Sequence, residues 1–371
     1  MIDLVNSKLF TPWKNPETGV TLYLLTHKVV PVQEAFYFSN ESMSRDGRYL
    51  WFYCAFPPSG TAAQGRTLGV VDFETQEVRH FPETHFNHAS PFVDPANGEV
   101  TWGMGAGLWR RGPGAGDTVE EVNSLPAEII GARPVSRIAT HLTRTADKSA
   151  FFIDAQIGLQ FVFGMLPVDG GDFQPWYRFE RNYNHAQISP TDANLVLFAQ
   201  ENHPDPITGL TFPIVNRMWT LRPGEAPQPV LKEPRKVTHE WWDPDGQHAW
   251  CVWGNETWKV NVFTHEEEKI LFPHHCWHSH SSQAGEYIIG DSNTRFYRGC
   301  PSSVHFLNRT THQLVKLVDN PEMPNYTGRN YHIDPHPRFC CGDQYVVFTT
   351  TLRGVVDLVV ARTADLIQRT S

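Results

Sequence analysis

The stretch His239-Glu-Trp-Trp-Asp-Pro-Asp-Gly246-Gln-His-Ala-Trp-Cys-Val-Trp253 contains the unit from which the fold of this chain can be inferred. It begins with a polar residue, reaches a turn residue seven positions later and ends in a run of aromatic and β-branched side chains. Asp-Pro-Asp-Gly is a turn sequence, so the stretch indicates two strands joined in a β-hairpin. The same unit returns along the whole chain.

Seven copies of this unit follow one another at intervals of 39 to 58 residues. The polar position is occupied in turn by Asn40, Ser90, His141, His185, His239, His278 and His336. The turn position is occupied by Gly47, Asn97, Lys148, Asp192, Gly246, Gly285 and Asp343. A repeat near fifty residues, built of strands and turns, is the signature of a β-propeller. We therefore predict an all-β fold, a seven-bladed β-propeller.

The seventh unit is shorter than the others. After the strand that ends at Arg362 only residues 363–371 remain, and their sequence favours a helix. We predict that Thr21–Thr26, near the amino terminus, supplies the missing outer strand, because this closes the ring and removes both sheet edges. The repeats run from residue 36 to residue 362, so we predict one domain over residues 1–371.

Composition excludes several classes of partner. The net charge of −9 and the absence of a Lys/Arg run disfavour nucleic acid. No apolar run is long enough to span a membrane, and the amino-terminal residues lack the apolar region of a secretion signal. Six cysteines without CxxC spacing do not indicate disulfides. We expect a cytoplasmic protein, a monomer or homodimer, with no nucleic-acid or membrane partner.

The repeat also predicts which side chains face the central channel. Alternate residues of a strand share a face, so each polar position and the residue two before it point toward the axis. Loops between second and third strands lie at the same end of the ring, which places Arg217 near the histidines. The second row of channel residues is predicted to be Phe38, His88, Ala139, Tyr183, Val237, Cys276 and Asp334.

Repeated histidines have a structural explanation as well as a functional one. In some propellers a histidine in each blade hydrogen-bonds a neighbouring strand. Here Asp334 and His336 share one face of one strand, and His278 comes from the preceding blade, so these three residues predict a cation site. Mixed nitrogen and oxygen ligands suit Mn²⁺, Ca²⁺ or Zn²⁺, and the sequence does not choose among them.

Four segments resemble the oligogalacturonate lyases, polysaccharide lyase family 22. The segments are Val237–Gly246, Cys276-Trp-His278, Asn216-Arg-Met-Trp219 and Asp334-Pro-His-Pro337. The resemblance covers all seven repeats in order. It implies a seven-bladed propeller that cleaves short pectic oligosaccharides by β-elimination, with a divalent cation, typically Mn²⁺, and an acidic oligosaccharide as substrate.

The resemblance also implies roles for individual residues. His278 and His336 match two of the family's metal-binding histidines, and Arg217 matches the arginine proposed there as catalytic base. His185 and His239 match channel histidines beside the substrate.

Two positions depart from the family pattern. Asp334 stands where the family has a histidine, and Tyr331 stands where it has a glutamine ligand. Asp334 can still bind a cation, whereas a tyrosine is a poor substitute for an amide oxygen. A related propeller lyase that acts on glucuronate is therefore an alternative.

Elimination at a 4-linked uronate removes the proton on C5, which is acidic because the adjacent carboxylate accepts the developing charge. A cation bound to that carboxylate stabilises the charge. Free arginine is too basic to take the proton easily, and a neutral histidine is chemically easier. The candidate catalytic residues are Arg217, which the resemblance implies as base, and His239 or His185, which the chemistry favours. The candidate substrate-binding residues are His88, His141, Tyr183 and Tyr331.

The sequence allows two other functions. A glycoside hydrolase needs two carboxylates across the channel, and the two channel rows contain one, Asp334. A non-catalytic scaffold would present its loops to protein partners and leave the channel inert. The number of imidazoles in the channel argues against this second function.

Overall fold

The computed structural model describes residues 2–57, 65–86, 88, 90–254, 256–270, 276–292, 302–321 and 333–371. The chain begins with β1 (Phe10–Lys14) and β2 (Thr21–Leu25), followed by blade 1. Blade 1 contains β3 (Val32–Glu34), β4 (Tyr49–Ala55), β5 (Arg66–Asp72) and β6 (Glu77–Phe86). Blade 2 contains β7 (Phe92–Val93), β8 (Val100–Met104), β9 (Gly107–Arg111) and β10 (Glu120–Ser124).

A short helix, α1 (Ala127–Ile130), leads into blade 3. Blade 3 contains β11 (Val135–Arg137), β12 (Thr143–Arg144), β13 (Ala150–Ile157), β14 (Gln160–Pro167) and β15 (Gln174–Phe179). Blade 4 contains β16 (Tyr183–Ile188), β17 (Val196–Gln200), β20 (Met218–Leu221) and β21 (Gln228–Pro229). The loop between β17 and β20 carries a separate hairpin of β18 (His203–Pro204) and β19 (Thr211–Phe212).

Blades 5 and 6 have four strands each. Blade 5 contains β22 (Thr238–Trp242), β23 (His248–Trp253), β24 (Glu256–Asn261) and β25 (Glu267–Ile270). Blade 6 contains β26 (Cys276–Ser281), β27 (Tyr287–Ser292), β28 (Ser302–Asn308) and β29 (Gln313–Asn320). Blade 7 contains β30 (Arg338–Cys340), β31 (Tyr345–Thr350) and β32 (Asp357–Arg362), and the chain ends in α2 (Thr363–Arg369).

Seven antiparallel sheets around one channel confirm the predicted seven-bladed propeller. The closure of the ring is confirmed too, since β2 pairs with β32 and brings Tyr23 opposite Val360 and Leu24 opposite Val359. Strand β1 then pairs with β2 as a fifth strand of blade 7, which the sequence did not predict. The helix predicted in residues 363–371 is α2.

The turns between the first two strands explain the spacing of the repeat. The backbone has positive φ at Gly47, Lys148, Gly246, Gly285 and Asp343, all of which occupy the predicted turn position. Glycine is required most strictly at Gly246, where φ is 65° and an added Cβ would lie 1.9 Å from the hydroxyl oxygen of Thr191.

Apolar side chains fill the space between neighbouring blades. Phe152 and Phe163 of blade 3 pack in one cluster with Ile188 and Phe198 of blade 4, and all four are buried. Alternation along each strand presents such side chains to both neighbours, so each sheet is buried on two faces. This packing fixes the first strand of each blade beside the channel. Among the described residues, no helix has the length and apolar character needed to cross a membrane.

Candidate active site

The five predicted histidines lie close together at one end of the channel. We call this end the funnel face; it is where the first strands of the blades begin. The ring centres of His141 and His185 are 4.8 Å apart, those of His239 and His278 are 4.2 Å apart, and those of His278 and His336 are 4.4 Å apart. Blades 3 to 7 therefore contribute one imidazole each to a single cluster.

Tyr37, which the sequence did not single out, lies among these histidines. Its ring stacks on His141 at 4.9 Å and lies 4.9 Å from the ring of His336. It meets His185 and His278 edge-on at 6.3 and 5.8 Å. Its hydroxyl lies 3.1 Å from Nδ1 of His239. Tyr37 was missed because β3 ends at Glu34 and the following segment is irregular, so strand alternation does not apply to it.

A backbone irregularity re-aims several of these side chains. The pairing of β16 with β17 shifts between Asn184 and Gln187, and that of β22 with β23 shifts between Thr238 and Trp241. His185 and His239 lie in these bulges with φ of 54° and 55°. Bulges and left-handed residues are common next to active sites, where they point a side chain away from the regular pleat.

The predicted cation ligands converge. Nε2 of His278 and Nε2 of His336 lie 4.0 and 3.9 Å from Oδ2 of Asp334. One ligand atom from each of the three residues lies within 4.8 Å of the others. Ligand atoms around a bound divalent ion are separated by roughly 3 to 4 Å, given metal–ligand distances of about 2.0 to 2.3 Å. The three side chains fit a cation after small rotations, and their exposure is 2%, 3% and 12% for His278, Asp334 and His336.

Asp291, on β27, orients this group and was not predicted. Both carboxylate oxygens lie 3.1 Å from Nδ1 of His278, and the backbone N–H groups of His278 and His336 donate to the same carboxylate at 2.8 and 3.0 Å. Donation from Nδ1–H leaves Nε2 of His278 free to bind a metal, an arrangement common around metal-ligating histidines. In the sequence, Asp291 could have been recognised as the one carboxylate in the mainly apolar segment Tyr287–Ser292.

A second group of charges surrounds Arg217. Its guanidinium donates to Glu201 and, from Nε at 3.2 Å, to Glu240. Glu240 is completely buried, and its Oε1 lies 3.2 Å from Nδ1 of His185, which is also 3.5 Å from Nη2 of Arg217. Burial opposes ionisation of Glu240, but Arg217 and His185 outweigh it and hold the pKa of this carboxyl below its usual value.

Arg217 is held as a cation by the same contacts. Burial lowers the pKa of a guanidinium, but Glu240 and Glu201 outweigh this and raise the pKa of Arg217 above its usual value. Only 6% of Arg217 is exposed. Glu240 was missed because strand alternation predicts that it points away from its neighbour His239, whereas the bulge in β22 breaks that alternation.

His141 is neutral in this environment. Burial is the largest cause, and neighbouring His185 adds to it, so the pKa of His141 lies well below its usual value. Its Nδ1 lies 3.3 Å from the hydroxyl of Ser90 and 3.4 Å from that of Ser39. Asn40, the polar residue of the first repeat, joins blades by donating to the carbonyls of Pro91 and Leu142.

The other predicted substrate-binding residues are Tyr183, His88 and Tyr331. Tyr183 packs on Phe179 and Phe198, with ring centres 4.4 and 5.6 Å away. His88 is exposed and has φ of 58°. Tyr331 lies outside the described residues.

Two solved structures have the same fold as this chain. The chain is similar to an oligogalacturonate lyase in complex with manganese, at 19% identity, a TM-score of 0.73 and coverage of 95% of this chain and 96% of that one. It is equally similar to an oligogalacturonate lyase from Vibrio parahaemolyticus, at 18% identity, a TM-score of 0.73 and the same coverage. No protein-family model and no curated protein matches the sequence. The chain thus shares the seven-bladed propeller fold of the oligogalacturonate lyases.

Proposed function

We propose that this protein is a metal-dependent lyase that cleaves 4-linked uronate in acidic oligosaccharides by β-elimination, with oligogalacturonate as its substrate. The observation that carries the proposal is the pair of groups around Tyr37. A buried His–Asp–His cluster lies on one set of blades, and a histidine bonded to a buried carboxylate lies on another. The first suits a cation and the second suits a base, which are the two requirements of this elimination.

The proposed cation ligands are His278, Asp334 and His336. A divalent ion bound there supplies Lewis-acid stabilisation of the substrate carboxylate while negative charge develops at C5. Two imidazole nitrogens and one carboxylate oxygen suit Mn²⁺, which is our first choice, with Ca²⁺ and Zn²⁺ as alternatives. The structure of a fold neighbour in complex with manganese supports this order.

We assign the base to His185 in preference to Arg217 or His239. We place the proton of His185 on Nδ1, which lies 3.2 Å from the carboxylate of Glu240, so that Nε2 is the acceptor, as in a histidine oriented by a carboxylate in a catalytic triad. Arg217 sits between two carboxylates that favour its charged form, so it gives up a proton with difficulty. We give Arg217 the role of holding Glu240 and His185 in place.

The proposed reaction breaks a C–H and a C–O bond and forms one C=C bond. Nε2 of His185 takes the proton from C5, and the electron pair of that C–H bond forms the double bond between C4 and C5. The bond from C4 to the glycosidic oxygen breaks with its electron pair on the oxygen, which takes a proton from water, and the imidazolium of His185 later returns its proton to the solvent. The imidazolium of His185 is stabilised by the adjacent carboxylate of Glu240.

The arrangement of carboxylates argues against a glycoside hydrolase. Such an enzyme needs one carboxylic acid that is protonated at working pH and a second carboxylate facing it. Glu240 is completely buried and bonded to Arg217, and Asp291 is bonded to His278, so neither is available as an acid. The galacturonate lyase therefore stays our first proposal, and glucuronate is the alternative sugar.

The test is to incubate the protein with a panel of galacturonate and glucuronate oligosaccharides, with Mn²⁺ and again with a chelator. We expect a product that absorbs in the ultraviolet, because elimination creates a C4–C5 double bond conjugated with the carboxylate. Product formation should stop when the cation is removed and return when Mn²⁺ is added. No product from any oligosaccharide in the presence of metal would contradict the proposal.

A further inference from the structure

We infer that Trp253 forms a distal sugar-binding subsite, which stacks on a uronate ring beyond the cleaved linkage and makes the enzyme prefer longer oligosaccharides. The inference rests on the proposed function. It adds to that function a residue that sets chain-length specificity.

The position follows from the register of blade 5. Val252 pairs with Thr238, which precedes His239, so the carboxyl end of β23 lies at the funnel face. Trp253 is the last residue of β23, one strand further from the axis than His239. Neighbouring strands are about 4.8 Å apart, so the backbone of β23 lies one strand spacing outward from β22, the strand of His239. A substrate chain that leaves the channel over blade 5 would pass over it.

Contacts with Arg235 and Trp258 hold the side chain of Trp253 in place. The guanidinium of Arg235 lies over its ring at 4.4 Å, and Arg235 also pairs with Glu267. The ring of Trp258 packs against it with centres 5.4 Å apart, and Nε1 of Trp258 donates to the carbonyl of Trp253 at 3.2 Å. These contacts orient the side chain, although 39% of its surface is exposed.

Arg235 also connects this platform with the site. Its backbone carbonyl accepts the N–H of Arg217 at 3.2 Å. The residue that covers one face of Trp253 is therefore joined directly to the residue that holds Glu240 and His185. Arg235 covers one face of the indole and Trp258 packs against the ring, yet 39% of the surface of Trp253 stays exposed.

The chemistry of that surface favours a sugar ring. A pyranose presents C–H groups on its faces and polar groups at its edge. The solvent-exposed surface of a flat aromatic ring complements these C–H groups. Glu267 balances the charge of Arg235. We therefore expect the platform to recognise the sugar ring through stacking, with little dependence on ionic strength.

Other exposed hydrophobic residues offer a control. Phe263 is 53% exposed on the turn between β24 and β25 of the same blade, at the end of the sheet opposite the funnel face. It has the same kind of exposed aromatic ring without access to a substrate in the channel. A single exposed aromatic residue is by itself ordinary on a protein surface, so this control is needed.

The experiment compares the wild type with Trp253→Ala, Trp253→Phe and Phe263→Ala on digalacturonate and tetragalacturonate, with Mn²⁺ present. We expect Trp253→Ala to lower kcat/KM for the tetramer about tenfold, mainly through KM, and to leave the dimer unchanged. Trp253→Phe should retain most of the tetramer activity, and Phe263→Ala should resemble the wild type. The unchanged rate on the dimer also verifies that the variant is folded.

Two results would overturn the inference: tetramer activity that does not change in Trp253→Ala, or an equal loss on dimer and tetramer. If the wild type cleaves neither sugar, the proposed lyase activity fails. Calorimetric titration of wild type and Trp253→Ala with tetragalacturonate then decides on the subsite. Weaker binding by the variant supports it, and equal binding or no binding rejects it.

Discussion

At the scale of single residues, our proposal that His185 acts as base rests on its contact with Glu240. A histidine whose Nδ1–H is bound by a buried carboxylate keeps Nε2 as an acceptor, whereas an arginine between two carboxylates keeps its proton. We expect His185→Gln to lower kcat by about 10² to 10⁴, the usual contribution of a general base. Arg217→Lys keeps a cation beside Glu240 and should cost less. Both are measured from the ultraviolet absorbance of the product with Mn²⁺ saturating.

The exposed residue His27 provides a matched control, since His27→Gln removes an imidazole from the surface. If His185→Gln kept full activity while Arg217→Lys lost it, the base would be Arg217, as the family resemblance implies. If both variants were fully active, the base would be sought at His239.

A second residue-scale prediction concerns Asp291. Its carboxylate fixes the tautomer of His278 and also accepts two backbone N–H groups near the proposed cation ligands. We expect Asp291→Asn to weaken Mn²⁺ binding about 10- to 100-fold, as is typical for partners of metal-binding histidines. Titration calorimetry with Mn²⁺ alone measures this without an activity assay.

Asp169→Asn, on an exposed turn of blade 3, is the control for the loss of one negative charge. An unchanged Mn²⁺ affinity in Asp291→Asn would mean that the ion does not use His278.

The sequence predicted the residues that repeat and missed those that do not. The register of the repeat identified all five clustered histidines, because each occupies an equivalent position in its blade. Tyr37, Glu240 and Asp291 lie outside this register, and the equivalent position repeats the residue type in at most one other blade, as Glu41 does for Glu240 and Asp154 for Asp291. Their positions depend on an irregular segment, a bulge and a second strand, and no periodic signal marks these.

At the scale of elements, the bulges in the first strands explain why the observed site differs from the one that strand alternation predicts. Alternation predicts that residues two apart share a face, which places Tyr183 beside His185. The shift between Asn184 and Gln187 breaks this rule, and Tyr183 packs on Phe179 instead. The pairing of β13 with β14 has no such shift.

The bulge at His239 gives an element-scale prediction. Its φ of 55° suits asparagine much better than a β-branched residue. We expect His239→Val to be less stable than His239→Asn by about 1 to 2 kcal/mol, since both lose the imidazole and only valine adds backbone strain. The free energy of unfolding in urea measures the difference.

His248 is the matched position, because it lies on the regular part of β23. At this position the valine variant should be at least as stable as the asparagine variant, since β-branched residues favour strands. Equal stability of the two His239 variants would mean that the backbone at this position relaxes out of the left-handed region.

At the scale of the whole molecule, the sequence predicted the number of blades and the closure of the ring, because both depend only on counting repeats. It did not predict β1, whose sequence, Phe10–Lys14, lies outside any repeat and has no alternating pattern. The pairing of β1 with β2 adds a fifth strand to blade 7 and pairs the outer edge of β2, the strand that closes the ring. Closure joins the first and last parts of the chain in one sheet.

The last prediction tests whether this closure stabilises every blade. Leu24 is 1% exposed and packs in blade 7 with Val359, Phe348 and Val346, so Leu24→Ala should lower the free energy of unfolding by about 2 to 5 kcal/mol. In a closed ring the loss should spread beyond blade 7, because an opened ring leaves sheet edges unpaired at both sides of the break. Hydrogen exchange should therefore accelerate in β8 and β17 of blades 2 and 4, as well as in β32. Val5→Ala, at a site 63% exposed in the same amino-terminal segment, should change neither quantity. Faster exchange confined to blade 7 would show that the blades are stabilised by their immediate neighbours alone.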